Sequence, residues 1–178
     1  GMGSGLSRKQ IIEGVELSLK RLQTDYIDLY QVHKPDYDID LEETLRALDN
    51  LVTQGKVRYI GCSNYLAWYL CKALWVSDSH NLTPFATVQP RYNLLDRRAA
   101  DELFELCKTE SLGVITYNPL AGGFLTGKYR QSKEPDQESM LAKDISYRNR
   151  YWFTENFAAV EKFLGLARSL GRHPVHLA

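Results

Sequence analysis

The sequence has no excess of either charge and no long apolar run. Among its 178 residues, Lys plus Arg and Asp plus Glu number 22 each, so the formal net charge is zero. A neutral chain lacks the basic surface that binds nucleic acid or an anionic membrane. No apolar segment approaches the roughly 20 residues that a bilayer-spanning helix needs. We therefore expect no nucleic-acid partner and no membrane insertion.

Cysteine is also scarce. Cys62, Cys71 and Cys107 have neither paired nor metal-like spacing. An odd, scattered set argues against a disulfide framework and is typical of a reducing compartment. The first residues lack the basic and apolar regions of a secretory signal, so the sequence predicts a cytoplasmic protein. His173 and His176 have no carboxylate or cysteine grouped with them, and we expect no metal site.

What the sequence does contain is a regular alternation of helical and strand periodicity. The predicted elements are helices at about 8–23, 41–54, 66–77, 98–111 and 157–170, and strands at 26–33, 57–62, 85–89 and 114–117. Strict alternation with short connections predicts parallel strands joined by right-handed crossovers. Residues 119–150 are rich in Gly, Ser, Asp and Lys, and they are predicted to form a long functional loop.

Two α/β architectures fit this alternation, a doubly wound open sheet and a (β/α)8 barrel. No GxGxxG follows the first strand, and no GxxxxGK[ST] occurs. Each strand instead ends in polar residues, namely His33, Ser63, Asn64, Gln89, Tyr117 and Asn118. Because barrel enzymes place their chemistry at successive strand ends, the sequence predicts barrel geometry. A full barrel has eight strands and typically about 250 residues, whereas this sequence predicts four strands.

Four segments carry a resemblance to a known family. They are residues 19–33, 55–64, 89–93 and 117–128. In order and spacing they resemble the aldo-keto reductases, (β/α)8 enzymes that reduce aldehydes and ketones with NADPH. The similarity is greatest to the bacterial and potassium-channel-β-subunit branch, and it covers nearly the whole chain.

The resemblance implies a partial TIM barrel. The fold it predicts is α/β, with about four parallel strands and flanking helices that correspond to strands 4–7, lacking strands 1–3 and strand 8. Residues 1–178 then form a single incomplete barrel domain, in which residues 1–6 are a cloning remnant or a loop. The segment 119–150 is the expected cofactor-covering loop. A half barrel leaves two unpaired sheet edges and exposed apolar surface.

The resemblance also implies roles for the polar strand ends. His33 matches the active-site histidine that orients and polarises the substrate carbonyl, a task suited to a neutral imidazole that donates from one nitrogen. Ser63 and Asn64 match the pair that hydrogen-bonds the nicotinamide carboxamide, and Gln89 completes that clamp. Taken alone, a strand-closing histidine is about as often structural, and a Ser-Asn pair is more often a simple turn.

Further roles follow for the last matching segment. Tyr117 matches the aromatic that stacks on the nicotinamide ring. Asn118 is also expected to bind the cofactor, and it stands where the family frequently has Ser. Leu120 to Lys128 matches the loop over the cofactor pyrophosphate, where Gly122 allows close backbone approach and Lys128 adds charge. A mobile surface loop would have a similar glycine content. The aromatic residues 151–153 either line a substrate site or belong to the core or cover of the barrel, and we favour the second interpretation.

Part of the family's catalytic set has no match. In the family a tyrosine is the general acid, tuned by a lysine and an aspartate, because a free phenol with a pKa of about 10 is a poor acid at neutral pH. No segment of this sequence matches these three residues, and none matches the grip on the adenosine 2′-phosphate. The resemblance implies NADP(H) as cofactor and a small carbonyl compound as substrate. Because the general acid and its partners have no match, we expect no turnover by this chain alone.

Three explanations remain open. The sequence is part of a longer enzyme, which we favour. Alternatively, it is a truncated product that folds by homo-oligomerising or by pairing with a complementing barrel half. The third explanation is a non-catalytic nucleotide-binding or channel-associated regulatory module.

Overall fold

A computed structural model describes residues 5–178. Residues 1–4 lie outside the described residues, and they make up most of the segment 1–6 that was predicted to be a cloning remnant or a loop. The chain divides into two compact units, which are Gly1–Pro90 with Ala100–Ile115, and Arg91–Ala99 with Thr116–Ala178. The assignment of a single incomplete domain stays a prediction.

The first unit alternates helices with a parallel four-stranded sheet. Its elements are α1 (Arg8–Leu22), β1 (Ile27–Val32), α2 (Leu41–Thr53), β2 (Val57–Ser63), α3 (Ala67–Ser79), β3 (Thr87–Gln89), α4 (Leu103–Thr109) and β4 (Gly113–Val114). The strand order is β1-β2-β3-β4, each parallel to the next. This order lacks the reversal that defines a doubly wound sheet. The predicted α/β class with four parallel strands is confirmed.

Local sequence signals set the ends of the first helices. Ser7 accepts a hydrogen bond from the backbone N–H of Gln10, and the Gln10 side chain accepts one from the backbone N–H of Ser7, which forms a capping box. At the start of α2, the Asp40 carboxylate accepts from the Glu42 N–H. Gly55 follows α2 with φ 72°, a left-handed conformation that glycine adopts without a steric penalty.

The core of this unit lies between the sheet and its helices. The largest fully buried side chains are those of Val15, Leu45, Leu48, Leu51, Val57, Ile60, Leu70 and Phe85. Burial of each such side chain contributes about 1.5–3 kcal/mol. Tyr30 of β1 points toward α1, since its hydroxyl oxygen lies 2.9 Å from where a Cβ on Gly14 would be. Successive strand residues alternate in direction, so Leu29 and its partner Tyr59 face the other side, where Tyr59 is 62% exposed.

The second unit is built from short helices around an aromatic core. It contains a 3-10 helix (Ala121–Thr126), α5 (Met140–Lys143), α6 (Ile145–Tyr151), α7 (Thr154–Ser169) and α8 (Pro174–Leu177). The buried cluster comprises Ala121, Phe124, Leu125, Tyr129, Leu141, Tyr151 and Val160. Tyr151 is therefore a core residue, as favoured from the sequence, whereas Phe153 is half exposed.

Several predicted boundaries were wrong. The helix expected at 98–111 is interrupted at Glu102, and it forms a 3-10 turn at Arg98–Ala100 before α4. The strand expected at 114–117 pairs only over Gly113–Val114, and Tyr117 forms an isolated parallel bridge with Arg91. Tyr117 lies beyond the ladder because the chain leaves the register of β3 after Ile115, whose N–H still donates to Val88 O.

The prediction of a continuous loop over 119–150 was also wrong. Ala121–Thr126 and α5 fall within it, and so does α6 except for its last residue. These helices are one or two turns long, too short for a helical period to show in the sequence. Gly122 and Gly123, at φ 65° and 91°, interrupt the 3-10 helix from within. Within residues 5–178 we find no helix both long enough and apolar enough to cross a membrane.

Candidate functional site

Polar groups at the carboxyl ends of β1, β2 and β3 form one hydrogen-bonded edge. The Oγ of Ser63 donates to the carbonyl oxygen of Gln89 at 2.7 Å. The Nδ2 of Asn64 donates to the carbonyl oxygen of His33 at 2.8 Å and to the Ser63 Oγ at 3.1 Å. The backbone N–H of Asn64 also donates to Gln89 O. The structure thus brings together four residues that were predicted from separate strand ends.

Backbone conformation explains why an asparagine occupies this edge. Asn64 has φ 59°, in the left-handed region that Asn tolerates better than most residues. This turn directs the Asn64 amide back across the end of β2 to His33. Ser63 is buried at 4% exposure, so its hydroxyl serves as a fixed part of the scaffold.

A second hydrogen-bond chain, which the sequence did not reveal, fixes the side chain of Gln89. The Thr87 hydroxyl donates to Gln31 Oε1 at 3.2 Å, and Gln31 Nε2 donates to Gln89 Oε1 at 3.3 Å. Both bonds pass over Gly61, where an added Cβ would lie 2.3 Å from Thr87 Oγ1 and 3.0 Å from Gln31 Cγ. The three polar side chains meet across β2 because Gly61 has none. Among the described residues, no group accepts a hydrogen bond from Gln89 Nε2.

His33 lines a cavity that follows β1. Its side chain is exposed, and within residues 5–178 its ring makes no hydrogen bond. The cavity measures about 640 Å³ and is lined by Gly5, Leu6 and residues 33–38. Small-molecule sites commonly measure about 300–1,000 Å³. His33 is therefore accessible to a small ligand while its backbone is held by Asn64.

In the second unit, hydrogen bonds between its own residues fix the segment that follows Tyr117. Asn118 has φ 63°, and its Oδ1 accepts from the Gly122 N–H at 2.7 Å. The Tyr129 hydroxyl donates to Gly122 O at 3.2 Å. Leu120, which is half-buried, accepts at its carbonyl from the Gly123 N–H at 2.9 Å. Gly122 also lacks room for a side chain, since a Cβ would lie 2.7 Å from the Tyr147 ring.

Two cationic groups border this segment in different ways. Lys128 is exposed, with its Nζ 5.0 Å above the centre of the Tyr129 ring, and the described residues place no carboxylate within ion-pair distance of it. Arg91, by contrast, is paired: its Nε donates to Asp96 Oδ2 at 2.7 Å, and Arg98 donates to the same carboxylate through Nε and Nη2 at 2.9 Å. Hydrogen bonds from Arg98 and Arg91 hold the pKa of Asp96 well below its usual value, although burial acts in the opposite direction.

The sequence model of the Aldo/keto reductase family matches residues 1–178. The chain belongs to this family. An aldo-keto reductase of Babesia bovis is 35% identical over 92% of this chain and 67% of its own length. An uncharacterized oxidoreductase of Bacillus subtilis is 37% identical over 98% of this chain and 51% of its own length. A protein of Oryza sativa, named a probable voltage-gated potassium channel subunit beta, is 36% identical over 98% of this chain and 54% of its own length.

A solved structure agrees with this assignment. The glycerol dehydrogenase of Gluconobacter oxydans superposes with a TM-score of 0.79 at 28% identity, covering 97% of this chain and 50% of that one. The predicted membership of the aldo/keto reductase family, with bacterial and channel-subunit relatives, is confirmed. This aldo/keto reductase chain spans about half to two thirds of the length of these relatives.

Proposed function

We propose that this chain supplies the nicotinamide-binding edge and the carbonyl-orienting histidine of an NADPH-dependent reductase of aldehydes or ketones. The observation that carries the proposal is the single hydrogen-bonded edge formed by His33, Ser63, Asn64 and Gln89. Membership of an oxidoreductase family supports the reaction class.

The groups at this edge have the chemistry that a carboxamide requires. Gln89 is oriented by Gln31 through its Oε1, which leaves its Nε2 as a donor toward a ligand carbonyl. Tyr117 would stack on the nicotinamide ring. The Leu120–Lys128 segment offers backbone groups and the Lys128 ammonium for a pyrophosphate. When bound, NADPH supplies the hydride.

His33 would act on the substrate oxygen. Its exposed ring, which lines the cavity after β1, would donate a hydrogen bond to the carbonyl and polarise it. We propose that the general-acid tyrosine and its lysine and aspartate lie outside these 178 residues. The isolated chain then binds cofactor but does not reduce substrate.

The sheet also suggests how such a site is completed. Val114 and Ile115, at and just after β4, are each 39% exposed, and Tyr59 stands uncovered on the helix-free face. Unpaired sheet edges favour association with further strands. We propose that a complementing barrel half, from the same polypeptide or from a second copy, pairs with the outer strands β1 and β4.

Titration of the chain with NADPH, followed by the fluorescence of the reduced nicotinamide, tests the cofactor site. We expect saturable binding that Gln89→Ala weakens by about tenfold, since one hydrogen bond to the carboxamide is lost. Gln54→Ala, at the exposed end of α2, is the matched control. Absence of saturable binding would contradict the proposal.

Adding a reactive aldehyde to the same mixture tests the catalytic part. We expect no oxidation of NADPH above the buffer rate. Turnover by the isolated chain would show that the general acid lies within it. Binding of NADPH that stays without turnover even in a complete barrel would favour the channel-associated module, the class to which the name of the Oryza sativa relative points.

A further inference from the structure

A buried amide–phenol cluster supports the turn that carries Gly122. Asn93, Asn118 and Tyr151 form this cluster: the Nδ2 of Asn93 and the Nδ2 of Asn118 donate to the Tyr151 hydroxyl at 3.0 and 2.8 Å. Asn93 and Tyr151 are 3% and 1% exposed, respectively. Hydrogen bonds at such depth are costly to lose, because water cannot replace them.

Both ends of the Asn93 side-chain amide are fully hydrogen-bonded within the second unit. Its Oδ1 accepts from the backbone N–H groups of Leu95 and Asp96, both at 2.9 Å. Its Nδ2 donates to Asn118 O at 3.1 Å as well as to Tyr151. Asn93 therefore fixes both the backbone and, through Tyr151, the side chain of Asn118.

Asn118 transmits this restraint to the turn. With its Nδ2 bonded to Tyr151, its Oδ1 faces the Gly122 N–H at 2.7 Å. Its left-handed backbone places this amide inward, toward the core of the unit. The family's frequent Ser at this position would be too short to span from Tyr151 to Gly122.

We propose that Asn118 is a positioning residue, not a cofactor contact, and that the Asn93–Asn118–Tyr151 cluster holds the Gly122 turn in the conformation that binds the cofactor pyrophosphate. This inference rests on the proposed function and refines the role that the family resemblance implies for Asn118. Asn118 acts on the cofactor through Gly122, and Tyr151 acts through Asn118.

Two measurements on the 178-residue chain test the cluster. The first is the hydrogen-exchange rate of the Gly122 amide without cofactor, by NMR. The second is the NADPH affinity by fluorescence. Asn118→Gly keeps the left-handed backbone but removes the amide, so we expect about tenfold faster Gly122 exchange and about tenfold weaker NADPH binding. Tyr151→Phe should shift both in the same direction.

Two further variants serve as controls. Asn118→Asp retains an acceptor for the Gly122 N–H, and it should keep slow exchange. Tyr147→Phe removes a hydroxyl that makes no hydrogen bond among the described residues, from a ring whose centre lies 6.3 Å from that of Tyr151, and it should change neither quantity.

The outcomes separate the alternatives. Weaker NADPH binding by Asn118→Gly with unchanged Gly122 exchange would show direct contact and overturn the inference. Faster exchange with unchanged affinity would overturn it too, because the turn would then not position the cofactor. If the unsubstituted chain binds no NADPH, the proposed function fails together with the cofactor part of this inference. Binding that is insensitive to Asn118→Gly defeats the inference alone.

Discussion

Replacement of Asp96 by Asn should destabilise the second unit by about 1.5–4 kcal/mol at neutral pH. Arg98 is 75% exposed, so its two bonds to Asp96 contribute at most about 1 kcal/mol. Arg91 is only 19% exposed, and its bond to the 9% exposed carboxylate contributes about 1.5–3 kcal/mol. An asparagine keeps the shape but leaves the Arg91 charge half-buried without a counterion.

The free energy of unfolding lost in Asp96→Asn depends on pH, in a direction that follows from the lowered pKa of Asp96. A carboxylate whose pKa is lower in the folded state adds stability that is fully present above its unfolded pKa of 3.8. That contribution disappears as the pH falls through the folded pKa. The difference between the original chain and Asp96→Asn should therefore stay constant from pH 7 to about pH 5 and shrink between about pH 4 and pH 2.

Urea unfolding followed by Trp152 fluorescence measures this difference. Trp68 and Trp75 are replaced by Phe in all samples, so that the signal comes from the second unit. Glu161→Gln, at an exposed carboxylate of the second unit without an ion pair among the described residues, is the control. A free energy of unfolding that changes by less than about 0.5 kcal/mol, or a difference that stays the same at pH 3, would refute the reasoning.

Two further predictions concern the first unit. Gly61→Ala should displace the Thr87 hydroxyl from the chain that orients Gln89, which costs about 1–3 kcal/mol in a urea melt and weakens NADPH binding; unchanged melts would show that the strands yield easily. With Ellman's reagent, the exposed Cys71 should react quickly, whereas Cys62 and Cys107, whose pKa values burial raises, should react only after unfolding; three fast thiols in the native chain would contradict this.

The strand ends could be predicted because two independent signals coincide there. A β-branched or aromatic run stops at a polar residue, and a family motif continues past it. Both signals are present at His33 and at the Ser63–Asn64 pair, where β1 and β2 end in the structure. The hydrogen bonds among them could not be predicted, because they depend on the register of β1, β2 and β3, which no local pattern specifies.

Other features had no usable sequence signal. Gln31 and Thr87 lie within predicted strands, and only the parallel register places them on the same face beside Gly61. Asn93 lies in a matched motif, but its partner Tyr151 is 58 residues away. Pairings at that separation follow from tertiary packing, and a single sequence does not contain them.

The strand order of the first unit has a consequence for how the chain is made. Each strand from β2 onward pairs with the strand that precedes it in the sequence. During synthesis, every newly emerged strand therefore finds its partner already outside the ribosome and never waits for a later segment. Such a sheet can grow from the amino-terminal side, one helix and strand at a time. The outer edge of β4 is then the one at which this sheet would next be extended when synthesis of the unit ends.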